Sequence, residues 1–305
     1  MRALNRKLFR DLRRIRSQCA AIAAVVAAGV AVAVLGLCNL ETLSRSRESF
    51  YERTHFADVF LSVKRAPLSV ARRLSEVPGV AAVEPRVVAT VIIDMPDVRE
   101  PVAARIVGRP VGRPPVLNDL VIQRGRDLAN APADEVLVSR AFAAAHQLRP
   151  GSVLRAIING RRRGLTVVGI ALSPEFIYAI GPGALFPDDQ RFGVLWMAEH
   201  RLAAAMDLTG GFNDAVVRLE RGTSAKDAIG RIEPIIGRFG GAGAFERAEQ
   251  TSHWFLEGEL SELRTTSRLL PLMFAGVAAF LLNIVISRLI ATQREQIGLL
   301  KAFGY

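Results

Sequence analysis

Cysteine is almost absent from this 305-residue chain, and its scarcity removes two explanations at once. The two cysteines, Cys19 and Cys38, both lie in one uncharged apolar run. On a single helix they would sit about 28 Å apart at about 1.5 Å per residue, far beyond the roughly 7 Å Cα limit for a disulfide. Everything after residue 38 must therefore be held by its own core, and thiol redox chemistry has no residue to work with there. Catalytic signatures are missing too. The chain has no phosphate-cradling G-x-x-x-x-G-K-[ST], no G-x-G-x-x-G after a strand, no H-E-x-x-H and no G-x-S-x-G. His55, His146, His200 and His253 are scattered rather than spaced as ligands. Asp188 and Asp189 fall in a turn-rich stretch and read as turn caps. The expectation is no catalytic, cofactor-binding or metal site, and no ATPase activity in this chain.

Two long stretches lack any charge. Leu269–Ser287 holds 19 uncharged residues and Ser17–Leu40 holds 24. As a helix the first is about 28 Å long, close to a hydrocarbon core of about 30 Å. A charge at mid-bilayer would cost about 2.5–3.5 kcal/mol, and neither stretch carries one. Arg288 can snorkel outward, and Leu289 and Ile290 can extend the later span. The earlier run exceeds the roughly 7–15 apolar residues of a cleaved signal peptide, so a retained anchor is expected. Leu37 is also too large for the position preceding a lipoprotein cysteine.

The excess of basic residues sits at the ends. Residues 1–16 carry seven Arg or Lys and one acid, and residues 268–305 carry four against one. The interval 41–267 holds 29 basic and 27 acidic residues, so the net formal charge of +11 is largely a property of the flanks. The positive-inside rule then places the N-terminus and the region after the second span in the cytoplasm, with the middle across the membrane. A near-neutral middle gives no basic face for nucleic acid.

In chain order, Leu4, Leu8, Leu12 and Ile15 share one helical face, with Arg6, Arg10, Arg13 and Arg14 around the rest. The polar stretch 41–55 continues the first span outward as a stalk. Residues 57–63 read as a strand, 66–76 as a helix closed by Pro78-Gly79, and 80–93 as one or two strands. Asp214–Leu219 begins a second such unit. Thr223 or Ser224 caps its helix, whose apolar face is Ala228, Ile232, Ile235, Ile236 and Phe239. Gly240-Gly241 closes that helix before a short strand at 244–247. Two separated β-α-β units predict one split ferredoxin-like subdomain with an insertion.

Within the insertion, 135–139 reads as a strand and 140–146 as a short helix. Residues 153–158 and 165–170 flank Asn159-Gly160, a strong hairpin signal. The basic Arg161-Arg162-Arg163 is expected to lengthen that hairpin and form its tip. Residues 252–267 return as a helix with a Leu256, Leu260 and Leu263 seam. Asn283 and Gly276, inside the second span, are the expected transmembrane packing residues, because a polar side chain in lipid turns to another helix and a small one permits close approach.

The expected fold is thus an α+β membrane protein. Two transmembrane helices flank a periplasmic domain made of a ferredoxin-like (split β-α-β) subdomain with an inserted small β subdomain. The divisions are a cytoplasmic amphipathic helix (1–16), transmembrane helix 1 (17–40) and a stalk helix (41–56). The ferredoxin-like subdomain follows (57–104 and 211–250), with the β-rich insertion (105–210). A second stalk (251–268), transmembrane helix 2 (269–290) and a cytoplasmic coupling region (291–305) complete the chain.

The tail carries a family resemblance. Arg294-Glu295-Gln296-Ile297-Gly298-Leu299-Leu300-Lys301-Ala302-Phe303-Gly304 resembles the R-x-x-E-I-G-x-L-K-A-x-G pattern of the FtsX-like, MacB-type permeases of ABC transporters, with the acid one place early. Pro78-Gly79-Val80, the Leu148–Ser152 turn, which resembles L-x-P-G-D, and Ser173-Pro174-Glu175-Phe176 are similar to features of long permeases of this kind. The resemblance implies a permease working by mechanotransmission in the bacterial inner membrane. Its partners would be a cytoplasmic ABC ATPase on a separate subunit, a second permease protomer or half, and the lipid membrane. It also implies that Arg294, Glu295, Ile297, Gly298, Leu300, Lys301, Phe303 and Gly304 form the ATPase-coupling helix, and that further transmembrane helices follow Tyr305. The expected cargo is a lipid, a lipoprotein or another hydrophobic substrate. Two other readings remain open from sequence: an FtsX-like regulator of a periplasmic cell-wall hydrolase, and a two-span sensor whose output domain lies elsewhere.

Overall fold

A computed structural model describes residues 16–95, 101–129 and 134–302. The amphipathic start over 1–15 lies outside them, as do Phe303 and Gly304 of the tail motif. The chain forms two compact units, one of residues 1–46 with 258–305 and one of residues 47–257. Its elements begin with α1 (Arg16–Arg53), β1 (Val59–Pro67), α2 (Leu68–Ser75), β2 (Val80–Arg86), β3 (Val88–Asp94) and β4 (Val102–Arg109). They continue with β5 (Val121–Gly125), β6 (Glu135–Ser139), α3 (Arg140–Ala145), β7 (Val153–Ile158), β8 (Arg161–Leu172) and β9 (Phe192–Ala198). The last are α4 (Glu199–Ala205), β10 (Gly211–Leu219), α5 (Ala225–Ile236), β11 (Ala244–Glu246) and α6 (Thr251–Ala302).

The two β-α-β units do meet in one sheet. Its order is β11-β1-β10-β2, with every neighbouring pair antiparallel. Period-two alternation divides its faces. Val59 and Leu61 of β1, with Ala215 and Val217 of β10, face α2 and α5, where Leu74, Ile232 and Ile236 complete a core. Phe60 and Val216 point the other way and pack with Tyr51, Phe56 and Leu117. The ends of α5 are written locally: the Ser224 hydroxyl accepts from the Asp227 amide at 3.4 Å, and Gly240 closes the segment in the left-handed region.

The second sheet is larger than the small β insertion expected. Seven strands run β5-β8-β6-β9-β4-β3-β7, and β7 pairs again with β8. The strands β8-β6-β9-β4-β3-β7 therefore close into a hydrogen-bonded ring, with β5 attached to β8. All six ring strands contribute to one apolar core that includes Val91, Ile106, Val138, Leu154, Leu165 and Leu195, together with Phe142 of α3 and Leu202 of α4. The expected division at 104/105 falls inside β4, and β3 belongs to this ring. The four-stranded sheet thus gives up the chain at Arg86 and takes it back at Gly211. The Val80–Ile93 stretch is apolar on both sides of Glu84-Pro85-Arg86, so its pattern does not mark the point at Val87 where the chain changes sheets.

The β7–β8 hairpin also differs from expectation. Ile158 pairs with Arg161, leaving a two-residue turn of Asn159 (φ 47°) and Gly160 (φ 74°). Positive φ at both positions matches the twist of the flanking strands, so this is the tightest hairpin. Arg161, Arg162 and Arg163 lie in β8 rather than at the tip, and Arg163 reaches Asp134 at 3.1 Å.

Candidate functional site

In the first unit, α1 and α6 each contain a stretch long and apolar enough to cross a membrane. Their mutual seam follows spacings of three and four. On α1 the less exposed positions are Ile22, Val25, Gly29, Val32, Gly36 and Leu40; on α6 they are Ser267, Pro271, Phe274, Ala278, Leu281 and Val285. Close approach depends on α1 glycines. A Cβ at Gly29 would lie 2.7 Å from the Phe274 Cβ, and one at Gly36 would lie 2.6 Å from the Ser267 Oγ. Two small residues seven apart let the backbones meet without a polar anchor.

The packing residues expected from sequence lie elsewhere. Gly276 has no neighbouring atom within 4 Å of an added Cβ, and Asn283 is exposed. Both fall between seam positions on α6, so neither packs against α1. The tail motif is helical through Ala302, with Arg294 and Gly298 exposed. The side chains of Glu295, Ile297, Leu300 and Lys301 lie outside the described set.

In the second unit, a polar network joins the ends of the two long helices to a buried ion cluster. Arg86 and Asp214 are partners across β2 and β10, on the sheet face turned away from α2 and α5. Arg86 donates to Asp214 Oδ1 through Nε at 2.8 Å and Nη2 at 2.6 Å. It also donates to Glu175 through Nη1 at 2.6 Å and Nη2 at 3.1 Å. Glu175, in the loop after β8, further accepts from Asn118 Nδ2 at 2.8 Å. All three charged residues are buried. Burial opposes ionisation of Glu175, yet the Arg86 charge and its hydrogen bonds outweigh it and hold the carboxyl below the ordinary carboxylate range.

From Glu175 the network continues to the helices. Its carbonyl accepts from Gln250 Nε2 at 2.7 Å, and Gln250 Oε1 accepts from the His253 amide at 2.7 Å, capping the start of α6. The His253 ring meets the Tyr51 hydroxyl of α1 at 3.1 Å. Nearby, Arg47 of α1 bonds Glu257 of α6. Arg247 donates to the carbonyls of Phe56 and Ala57 and to Asp58 at 2.6–2.8 Å, while lying over the Phe56 ring. Burial, then the charges of Arg47 and Arg247, lower the His253 pKa and favour a neutral ring. Burial pushes the Tyr51 hydroxyl up to about 12.

This network fixes two helix ends and one loop to a sheet face. Among the described residues no group of three or more His, Cys, Asp or Glu is placed to hold a metal. Asp188 Oδ1 accepts from the Gln190 and Arg191 amides, the geometry of a turn cap. Sequence reasoning quoted Glu175 only as part of a resembling motif and missed Arg86 and Asp214. The available signal was a charge at one strand end and an acid at the start of the stretch 214–219.

No protein-family model matches the chain, and no curated protein does. Solved structures similar in part include the extracellular domain of the noncanonical ABC-type transporter YknZ from Gram-positive bacteria. That match has 13% identity and a TM-score of 0.39, and covers 62% of this chain and 98% of the other. The periplasmic region of MacB from Actinobacillus actinomycetemcomitans matches at 11% identity and a TM-score of 0.39, covering 67% and 92%. A permease-protein domain from Porphyromonas gingivalis matches at 13% identity and a TM-score of 0.34, covering 64% and 86%.

Proposed function

We propose that this chain is part of the permease subunit of an ABC transporter of the FtsX-like, MacB-type kind, working by mechanotransmission. The observation that carries the proposal is α6. It runs as one helix from Thr251, at the polar network, through the apolar span and on to Ala302 in the R-E-Q-I-G-L-L-K-A tail. A helix without a break transmits displacement along its axis. α1 supplies a second such rod, ending at Tyr51 and Arg53.

On this reading the basic flanks are cytoplasmic and residues 57–250 are periplasmic. The four-stranded sheet with α2 and α5 is a ferredoxin-like subdomain, and the ring is its insertion. Arg294, Glu295, Ile297, Gly298, Leu300, Lys301, Phe303 and Gly304 make up the coupling segment that rests on a separate ATPase. Asn283 and Gly276, off the α1 seam, face further helices or a second permease protomer. The moved substrate is a lipid, a lipoprotein or another hydrophobic molecule.

The test is coupling. In the longer protein that contains this segment, Ile297→Asp and Leu300→Asp are expected to abolish recovery of the ATPase in a pull-down while leaving membrane insertion intact. Wild-type recovery in both variants would end the coupling assignment.

A further inference from the structure

A second feature lies beside the ion cluster, within the second unit. A cavity of about 270 Å³ opens where the face of β1 carrying Phe60 meets the loop after β8 and the start of α6. Its lining is strongly aromatic: Phe60, Phe176, Phe192 and Phe245, with Tyr178 beside them. One cation, Arg105 of β4, joins them.

Arg105 is the least satisfied charged group of this region. Its guanidinium lies 5.9 Å from the centre of the Phe176 ring. Its ion pair with Asp214 Oδ2 is 3.6 Å long, too long for a hydrogen bond. Its Nε is buried with no hydrogen-bond partner among the described residues. The side chain is nonetheless 40% exposed, so a ligand can reach the rest of the guanidinium. Asp214 cannot shorten the pair without loosening its bonds to Arg86, which take its other oxygen at 2.6 and 2.8 Å. A donor group held over an aromatic ring and denied its neighbour's carboxylate is suited to an acceptor that enters from the cavity.

We infer that this cavity binds an acyl group: an apolar chain among the phenylalanines, with a carbonyl or carboxylate oxygen accepting from Arg105. The lining favours this class. Glu175 and Asp214 together carry one negative charge more than Arg86 and repel a doubly charged phosphate, whereas an acyl head brings at most one charge. The volume corresponds to roughly nine waters at about 30 Å³ each, enough for the head and first part of a chain, with the rest extending past Phe245 at the rim. Phe245 is 37% exposed, as a rim residue would be. The role of such a site in transport rests on the permease reading, but binding does not, and the test measures binding alone.

The probe is a diazirine-bearing dodecanoate, photo-crosslinked to the whole chain in amphipol and mapped by peptide mass spectrometry. Saturable labelling is expected in the peptides holding Phe60, Phe176, Phe192 or Phe245. Arg105→Met should raise the half-saturating concentration about tenfold, the value of one charge-assisted hydrogen bond, and Arg105→Lys should restore part of it. Ser62→Phe, which adds bulk at the cavity wall and keeps Arg105 in the chain, should abolish the same labelling. Circular dichroism melts of each variant show whether it folds. Competition by free dodecanoate but not by a lysophospholipid would make the ligand a free fatty acid; the reverse would make it a lipid ester. Labelling confined to the apolar runs 17–40 and 269–290, or labelling that folded Arg105→Met and Ser62→Phe leave unchanged, would overturn the inference. Failure of the ATPase pull-down would not affect it.

Discussion

The two sheets solve the problem of polar groups in opposite ways. The ring closes on itself, so its six strands have no unpaired partner direction and its interior is apolar throughout. The four-stranded sheet stays open. One face is covered by α2 and α5, while the other accepts Arg86, Asp214 and Glu175 in the same layer as Phe60 and Val216. Hydrogen-bonded charge is thus concentrated on the open sheet, and that is where the two long helices are tied. The ring keeps its ion pairs out of that interior: Arg109 of β4 is buried but meets the part-exposed Asp119 and Asp127, and Arg126 and Glu135 meet at 2.5 Å with Arg126 half exposed. A closed sheet can be a passive body, whereas an open one offers a face on which other elements can be fastened.

The contrast is broken most directly at Arg86. Arg86→Met leaves Glu175 and Asp214 buried with only the longer, part-exposed ion pair to Arg105, and a buried pair that loses one partner costs about 3–5 kcal/mol. Urea unfolding followed by the fluorescence of Trp196, in a Trp254→Phe background that removes the second tryptophan, should show that loss as a lower midpoint with an unchanged slope. A midpoint within error of the parent would mean that the cluster contributes nothing and that the open face is not a fastening point.

A smaller effect tests the ring. A Cβ at Gly193 would lie 2.6 Å from the ring of Phe142, which is fully buried in the ring core. Gly193→Ala should therefore cost about 1–3 kcal/mol through overpacking. On the other sheet, Gly230 sits exposed in α5 with open space around an added Cβ. Gly230→Ala should stabilise by about 0.5–1 kcal/mol, since glycine is a poor helix former. Equal signs for the two substitutions would contradict the packing described.

Much of this architecture is legible in the residues. The apolar runs fix the spans, Ser224 and Gly240 fix the ends of α5, and 135–139 and 153–158 read directly as β6 and β7. What could not be read were long-range choices. Nothing local says that β3 joins the ring, because Val88–Asp94 alternates like any half-buried strand. β9, buried at every position, has no period to detect. The ion cluster brings together residues 86, 175 and 214, and only the sheet register makes Arg86 and Asp214 neighbours. Gly276 and Asn283 show a similar limit: composition marks a residue as suited to packing, but the helix phase decides which neighbour it meets.

Acid should loosen the open face in two steps. His253 has a folded pKa below its ordinary 6.5, so the unfolded chain binds more protons in that interval. Its contribution is full above pH 6.5 and fades as the pH falls through the lowered value. Glu175, depressed below 4.5, keeps its contribution until the pH falls below that range. The melting temperature should therefore drop in two stages, with the first absent in His253→Gln and the second unaffected by it. A single stage, unchanged in His253→Gln, would separate His253 from the stability of the helix ends.

The smallest expected effect is the most informative control. Arg126 donates to Glu135 with better geometry than many buried pairs, through Nη1 at 2.9 Å and Nη2 at 2.5 Å. The Arg126 hydrogen bond, ahead of other causes, also lowers the Glu135 pKa. If geometry alone decided stability, Arg126→Met would rival Arg86→Met. But water competes for an exposed guanidinium, salt screens it, and after substitution Glu135 keeps its backbone hydrogen bond from Ala129. Its urea midpoint should therefore stay within experimental scatter of the parent at 0.15 M salt. A drop comparable to that of Arg86→Met would show that the ring depends on its outer ion pairs, and the distinction between the two sheets would be one of position rather than of energy.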